Sequence, residues 1–153
     1  MKFFSFFITI IFLNISLAVS ATIKPNPNLA PRQVVSIQLR ALQKNDVPYP
    51  NAGIEQTWEF AHPVNKKFTG PFERFSLMIQ QGGYKKLLGH KSHKIDLITR
   101  SKNEYFFNVS IVTDLKEKLF FEWHVKKVRK EHNLDNCWLT IRVTPPKSQY
   151  DSI

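Results

Sequence analysis

HKIDLITRSKNEYFFNVSIVTDLKEKLFFEWHVKK, residues 93–127, is where the hydrophobic period of this chain becomes two. Ile95 and Leu97 alternate with Lys94 and Asp96. Tyr105, Phe107, Val109 and Ile111 alternate with Phe106, Asn108, Ser110 and Val112. Leu119, Phe121, Trp123 and Val125 alternate with Phe120, Glu122, His124 and Lys126. Side chains on a pleated strand point to opposite faces in turn, so this alternation predicts strands with one buried face. A fourth run follows, with Cys137, Leu139, Ile141 and Val143 on one parity and Trp138, Thr140 and Arg142 on the other, closed by Pro145-Pro146. The links at 101–103, 113–118 and 129–135 are short or polar, which makes hairpins and an antiparallel sheet the expected connectivity.

Upstream of residue 93 the period is helical. Pro31 suits the first turn of a helix reaching about Lys44, with Val35, Leu39 and Leu42 toward a core and Gln33, Gln38, Arg40 and Lys44 toward water. Asn45, Asp46, Pro48 and Pro50 break it. A second helix is predicted over about 52–61, with Ile54, Trp58 and Ala61 on one stripe, stopped by His62-Pro63. A polar loop then leads to Gly70-Pro71, which opens a third helix carrying Phe72, Phe75, Met78 and Ile79 and ending at Gly82-Gly83. Residues 84–88 add one further turn. Helices first and strands afterwards predict an α+β domain: a curved antiparallel sheet of about four strands, covered on one face by about three N-terminal helices.

Composition narrows the class. The 153 residues hold 13 Phe, 3 Trp and 4 Tyr but only 5 Gly, which argues against a disordered or collagen-like chain. One Cys can build neither an internal disulfide nor a cysteine-based zinc site. The 22 basic residues against 12 acidic ones give a net charge of +10, which favours anionic partners.

The N-terminus qualifies that charge. In MKFFSFFITIIFLNISLAVSA, Lys2 precedes an apolar run from Phe3 to about Leu17, followed by the small residues Ala18, Ser20 and Ala21. This reads as a secretory signal over residues 1–20. Asn14 and Ser16 interrupt the run, which falls short of the ~20 apolar residues of a bilayer span; uncleaved, it would act as a membrane anchor. Destinations are then a periplasm, an endomembrane lumen or the outside of the cell. Nucleic acid is not an expected partner there, whereas anionic lipids, envelope polymers or glycans are. After the signal come a proline-punctuated lead at 21–30, expected to be extended and mobile, one domain at 31–146, and a polar tail at 147–153. No integral membrane segment is expected after cleavage.

Several stretches resemble a known family. ALQKND at 41–46, TWEFAHP at 57–63, TGPFERF at 69–75, LLGHKSH at 87–93 and CWLTIRVTPP at 137–146 are similar, in order and spacing, to the family catalogued as domain of unknown function 4864. That family is in turn similar to the superfamily named after nuclear transport factor two, which includes the SnoaL-like polyketide cyclases. The resemblance spans roughly residues 31–146. It implies a cone-shaped sheet around a cavity closed by helices, used by different members for isomerisation, dehydration, ligand binding or docking. Isomerase-like members need a buried carboxylate base. Glu55, Glu59, Glu73 and Asp96 fall on polar helix faces or the outward strand parity, so that role has no match here.

Candidate site residues follow from side-chain chemistry. His62, His90 and His93 are the groups expected to carry protons near neutral pH; the plainer role of His90 and His93, with Ser92, is to cap strand and helix ends through backbone hydrogen bonds. His90 and His93 lie where the chain passes from helices to sheet, at the expected mouth of a cone. Trp58 and His62, four apart, would share a helical face. With Tyr84, Tyr105 and Trp123 they form the candidate lining of a cavity for a small apolar ligand, against the plainer role of core filling. Arg74 is either a buried ion-pair partner or an anion holder. Cys137 reads as a small buried hydrophobe. Asn108-Val109-Ser110 matches a glycosylation acceptor but falls mid-strand. Phe106, Phe120 and Trp138, on the outward parity, would form an exposed aromatic stripe that a homodimer could cover. Lys126, Lys127, Arg129 and Lys130 form the densest basic run, read as a solvated hairpin or an anion-binding patch. No cofactor and no metal is implied.

Three functions remain open. The leading one is an exported binding or accessory module with a small apolar cavity. The others are an isomerase-, dehydratase- or cyclase-like enzyme using a histidine of the cone, and a binder of anionic envelope polymers.

Overall fold

The computed structural model describes residues 21–130 and 133–148. The signal expected at 1–20 and most of the polar tail lie outside them. Four helices come first, α1 (Pro31–Gln43), α2 (Ala52–Glu59), α3 (Pro63–Thr69) and α4 (Phe72–Gln80), followed by a 3-10 turn at Gly82–Leu87. The strands are β1 (Ser92–Arg100), β2 (Glu104–Val112), β3 (Lys118–Lys127), β4 (Trp138–Val143) and the short β5 (Lys147–Ser148). They form one antiparallel sheet in the order β1-β2-β3-β4, with β5 pairing β3 beyond the end of β4. The molecule is α+β, as its periodicity predicts.

The helical layer is built on α1. Pro31 opens it, and the Ala30 N–H donates to Gln33 Oε1 at 2.7 Å in place of a hydroxyl cap. Val35, Leu39 and Leu42 pack with Ile54 of α2, Phe75 and Ile79 of α4 and the inward side chains of β2 and β3 in one core. Asn45 ties α1 to α2: its Oδ1 accepts from the Ile54 N–H at 3.1 Å and its carbonyl from the Gly53 N–H at 2.8 Å. Gly53 is required there, because a Cβ would run into the Ala41 carbonyl.

Three expectations about the elements change. The segment after His62 is a helix rather than a loop. His62 caps it, with Nδ1 accepting from the Val64 N–H at 3.2 Å, and Pro63 fills its first turn, so one dipeptide ends α2 and starts α3. The lead at 21–30 is held against α2: the Ile23 N–H donates to Gln56 Oε1 at 2.7 Å, Gln56 Nε2 donates back to the Ile23 carbonyl at 2.9 Å, and Lys24 pairs with Glu59 at 2.9 Å. Leu97, on the inward parity, is exposed because β1 is an edge strand whose register shifts between Leu97 and Thr99.

The largest correction is in β4. Trp123 pairs with Val143 and His124 with Arg142, but Val125 pairs with Thr140, so Ile141 is an extra residue in a β-bulge. Beyond it the parity of β4 is reversed. Thr140 and Trp138, read as outward, turn to the face of Val125, where Thr140 meets α1 and Trp138 meets Tyr105 edge-on at 5.1 Å. The outward stripe therefore lacks Trp138. Phe106 and Phe120 remain on it, half-buried, with His124 stacked on Phe106 at 4.0 Å and the Lys118 ammonium over the Phe120 ring at 5.3 Å.

The edge of β4 is covered as well. The Thr140 N–H donates to the Phe60 carbonyl and the His62 N–H to the Thr140 carbonyl, both at 2.8 Å, so the α2–α3 junction runs along this strand as an extra bridge. Among the described residues no helix is long and apolar enough to cross a membrane.

Candidate functional site

Where α1, α3, α4 and the 3-10 turn meet the end of β4, the packing leaves a cavity of about 690 Å³. Leu42, Phe75, Ile79 and Leu87 supply apolar wall from the helical side, and Ile141 and Val143 from the sheet. Volumes of this order hold small organic ligands in many proteins. α3 forms one side without being buried itself: Val64 and Phe68 line the cavity, yet Phe68 is 75% exposed.

Three polar side chains of the wall and the Thr57 carbonyl form one bonded cluster. Trp123 Nε1 donates to Gln38 Oε1 at 3.0 Å and to Thr140 Oγ1 at 3.1 Å. Thr140 Oγ1 donates to the same Gln38 Oε1 at 2.6 Å, and Gln38 Nε2 donates to the Thr57 carbonyl at 3.1 Å. Gln38, Thr140 and Trp123 are 1–2% exposed. Buried polar groups are tolerated when bonded in this way. Three elements converge on the cluster: α1 brings Gln38, β3 brings Trp123, and the bulge in β4 turns Thr140 toward both. Nearer the rim, the Tyr84 hydroxyl donates to the Val143 carbonyl at 2.9 Å, and burial raises its pKa above the ordinary phenol value.

Of the aromatic and histidine residues expected to line a cavity, the structure brings Trp123 and Tyr84 together there. The other five are elsewhere. Trp58 packs on Phe75 at 4.9 Å and Phe72 at 6.1 Å, with the Lys66 ammonium over its ring. Tyr105 stacks with Phe107 and meets Trp138. His62 is the cap of α3. His90 and His93 form a pair of their own, beside the wall residue Leu87 but not among the residues lining the cavity.

The protonation of that pair follows from its partners. The Leu87 carbonyl can only accept, so His90 Nδ1 carries the proton of their 2.7 Å hydrogen bond. His90 Nε2 then accepts from His93 Nδ1–H, also at 2.7 Å. Burial lowers the pKa of both rings, and the nearby charges of His90 and Arg40 lower that of His93 further. Both imidazoles are therefore neutral at pH 7, and each holds backbone or partner in place. Among the described residues no group of three or more His, Cys, Asp or Glu side chains is arranged to hold a metal ion.

Arg74, Cys137 and the basic hairpin lie away from the cavity lining. Arg74 is exposed on α4 while Phe75 is buried. Cys137 is buried, and burial raises the pKa of its thiol, the opposite of an activated nucleophile. In the basic hairpin, Lys126 pairs with Glu104 at 2.9 Å, Lys127 lies over the Trp138 ring at 4.7 Å, and Arg129 donates to Asn136 at 3.0 Å and Asn103 at 2.8 Å.

Sequence reasoning missed Gln38, Thr57, Asn65, Thr140 and His124, all of which contribute to the cavity wall. His124 is the unusual one. Its ring stacks on Phe106, its Nε2 is shielded from solvent without a hydrogen-bond partner among the described residues, and the Glu104 carboxylate is 3.8 Å away. Burial lowers its pKa in spite of Glu104, which opposes the shift.

Compared with family models, curated proteins and solved structures, the chain gives no match.

Proposed function

We propose that this chain is an exported binding module whose cavity takes a small, mainly apolar ligand, on the cone-like architecture of the nuclear transport factor two superfamily. The observation that supports this reading is the cavity: about 690 Å³, walled by Leu42, Phe75, Ile79, Leu87 and Val143, with one compact polar cluster set into it. That combination is what a small-molecule site needs, since apolar area supplies affinity and a few fixed polar groups supply orientation. Export is supported by the order of cation, apolar run and small residues over 1–21. A catalytic reading has less to stand on, because His62, His90 and His93 and the acids Glu55, Glu59, Glu73 and Asp96 do not contribute to the lining.

The test is a fluorescence titration of the purified chain with N-phenyl-1-naphthylamine, a dye that brightens on leaving water. Saturable binding at one site is expected. Val64→Trp, which adds bulk at an exposed rim position, is expected to weaken that binding without lowering thermal stability. No saturable binding, or equal binding by the variant, would overturn the reading.

A further inference from the structure

The hydrogen bonds of the polar cluster have only one consistent direction, and that direction leaves a donor over. Trp123 Nε1 can only donate and the Thr57 carbonyl can only accept, so the Gln38 carboxamide has its oxygen toward Trp123 and its nitrogen toward Thr57. The Thr140 hydroxyl donates to Gln38 Oε1, and so accepts from Trp123. Gln38 Oε1 is thereby occupied twice. The Thr57 hydroxyl is committed to the Gly53 carbonyl at 2.8 Å. Among the buried lining side chains Gln38, Thr57, Thr140 and Trp123, one N–H remains outside these bonds: the second of the Gln38 carboxamide.

The charge of the wall is as informative. Among the described residues no Asp, Glu or Lys lines the cavity, and Arg142 is the one permanently charged lining residue. Its side chain is largely exposed and lies 4.0 Å from Glu122, on the parity that β3 turns away from Trp123. A charged ligand group deep in the cavity, beside Gln38 and Thr140, would lose its hydration there, because Arg142, the lining counter-charge, is on the exposed rim. An unused N–H on a buried lining side chain is, by contrast, a site for a neutral oxygen.

Resting on the reading of this cavity as a ligand site, we infer that its ligand is uncharged, an apolar body carrying a ketone, ester or hydroxyl oxygen that accepts from Gln38 Nε2. Carboxylates, phosphates and amines are selected against by the same wall. A hydroxyl fits as well as a ketone, because Thr140 Oγ1 keeps one lone pair for a donated proton.

The experiment is displacement of N-phenyl-1-naphthylamine by probes that share one chain length: 2-undecanone, 1-undecanol, undecanoate and undecylammonium at pH 7.5. The ketone and alcohol are expected to displace the dye at concentrations at least about tenfold lower than the two ions. Gln38→Met keeps the length and removes the N–H. It is expected to weaken 2-undecanone by about two- to tenfold relative to 1-undecene, a probe without an oxygen, measured on the same variant. In the wild-type chain, where no variant has to fold, the side-chain amide resonance of Gln38 is expected to shift downfield on adding the ketone. Preference for undecanoate or undecylammonium, or a Gln38 resonance that stays in place while the ketone binds, would overturn the inference and leave the cavity reading standing. Failure of the dye and all four probes to bind would overturn both.

Discussion

Gln38 shows how one side chain can join the core of this molecule to its cavity. It sits on α1 between Gln33 and Arg40, on the face that helical spacing assigns to water, and it is nevertheless 1% exposed. Nothing in residues 31–44 could reveal this, because its partners come from Trp123, 85 positions away, and Thr140, 102 positions away. Thr140 carried the matching error, placed outward because strict alternation has no room for an extra residue. The apolar positions Val35, Leu39 and Leu42, by contrast, were legible, since burial of aliphatic side chains needs no distant partner to justify it. Thr140→Val leaves Trp123 bonded to Gln38 and is expected to cost about 0.5–1.5 kcal/mol of stability. Gln38→Leu strands the Thr140 hydroxyl and the Thr57 carbonyl, and is expected to cost about 1–3 kcal/mol or more. Urea unfolding measures both; a Gln38→Leu chain as stable as the wild type would remove the structural role of the cluster.

The histidines set a pH dependence at the same scale. His90, His93 and His124 are all held below the ordinary imidazole value, chiefly by burial. The unfolded chain takes up protons near pH ~6.5 while the folded chain resists them, so the unfolded state binds more protons and stability falls as pH falls. The charged groups around them do not reverse this: Arg40 acts with burial on His93, and on His124 Lys126 and Arg142 act with it against Glu104 and Glu122. The urea midpoint is expected to be flat above pH ~7.5 and to drop between about pH 7 and 5.5. His93→Gln is expected to reduce that drop. A midpoint that rises on acidification would contradict the assignment of neutral rings.

At the level of elements, a bulge and a short helix decide the site. The bulge at Ile141 turns Thr140 into the interior and takes Trp138 off the outer face, which is why an aromatic stripe read from parity lost one of its three members. Bulges have no reliable signature in a single strand, because the extra residue is defined by what it faces across the sheet. α3 escaped notice for a different reason. PVNKKFT has no apolar period, and its start was hidden in a dipeptide that also ends the preceding helix. The long elements α1, β2 and β3 were readable because each repeats its pattern over several turns or pleats. The two kinds of aromatic residue that line the cavity should behave differently. Phe68→Ser changes a side chain that is 75% exposed and is expected to shift stability by no more than about 0.5 kcal/mol. Phe75→Ala empties a position that is 4% exposed and is expected to cost about 3–5 kcal/mol, read as a fall in denaturation midpoint. Equal effects would mean that α3 is packed far more tightly than its exposure indicates.

The molecule as a whole follows from the change of period near residue 93: a helical half laid over a meander of strands. Neighbouring strands in sequence are neighbours in space, and the order β1-β2-β3-β4 needs only hairpins, so topology was the most legible level of all. The cavity was the least legible, because it is space left between elements rather than a property of any one of them. The proposed export belongs to this scale too. Expressed in a secreting host, the chain is expected to lose its first residues and to begin at or near Ala21 on N-terminal sequencing. An intact Met1 in the released protein would refute it.

The two borders of the sheet are finished differently. At Thr140 the outer border of β4 already holds the backbone of Phe60 and His62, so no foreign strand can seat there. At β1 the cover is a side chain: Arg32 of α1 donates from Nη1 to the Ile95 carbonyl at 2.7 Å. A foreign strand would have to displace Arg32 before it could pair along β1, so both borders oppose the edge-to-edge growth that runs on into a fibre.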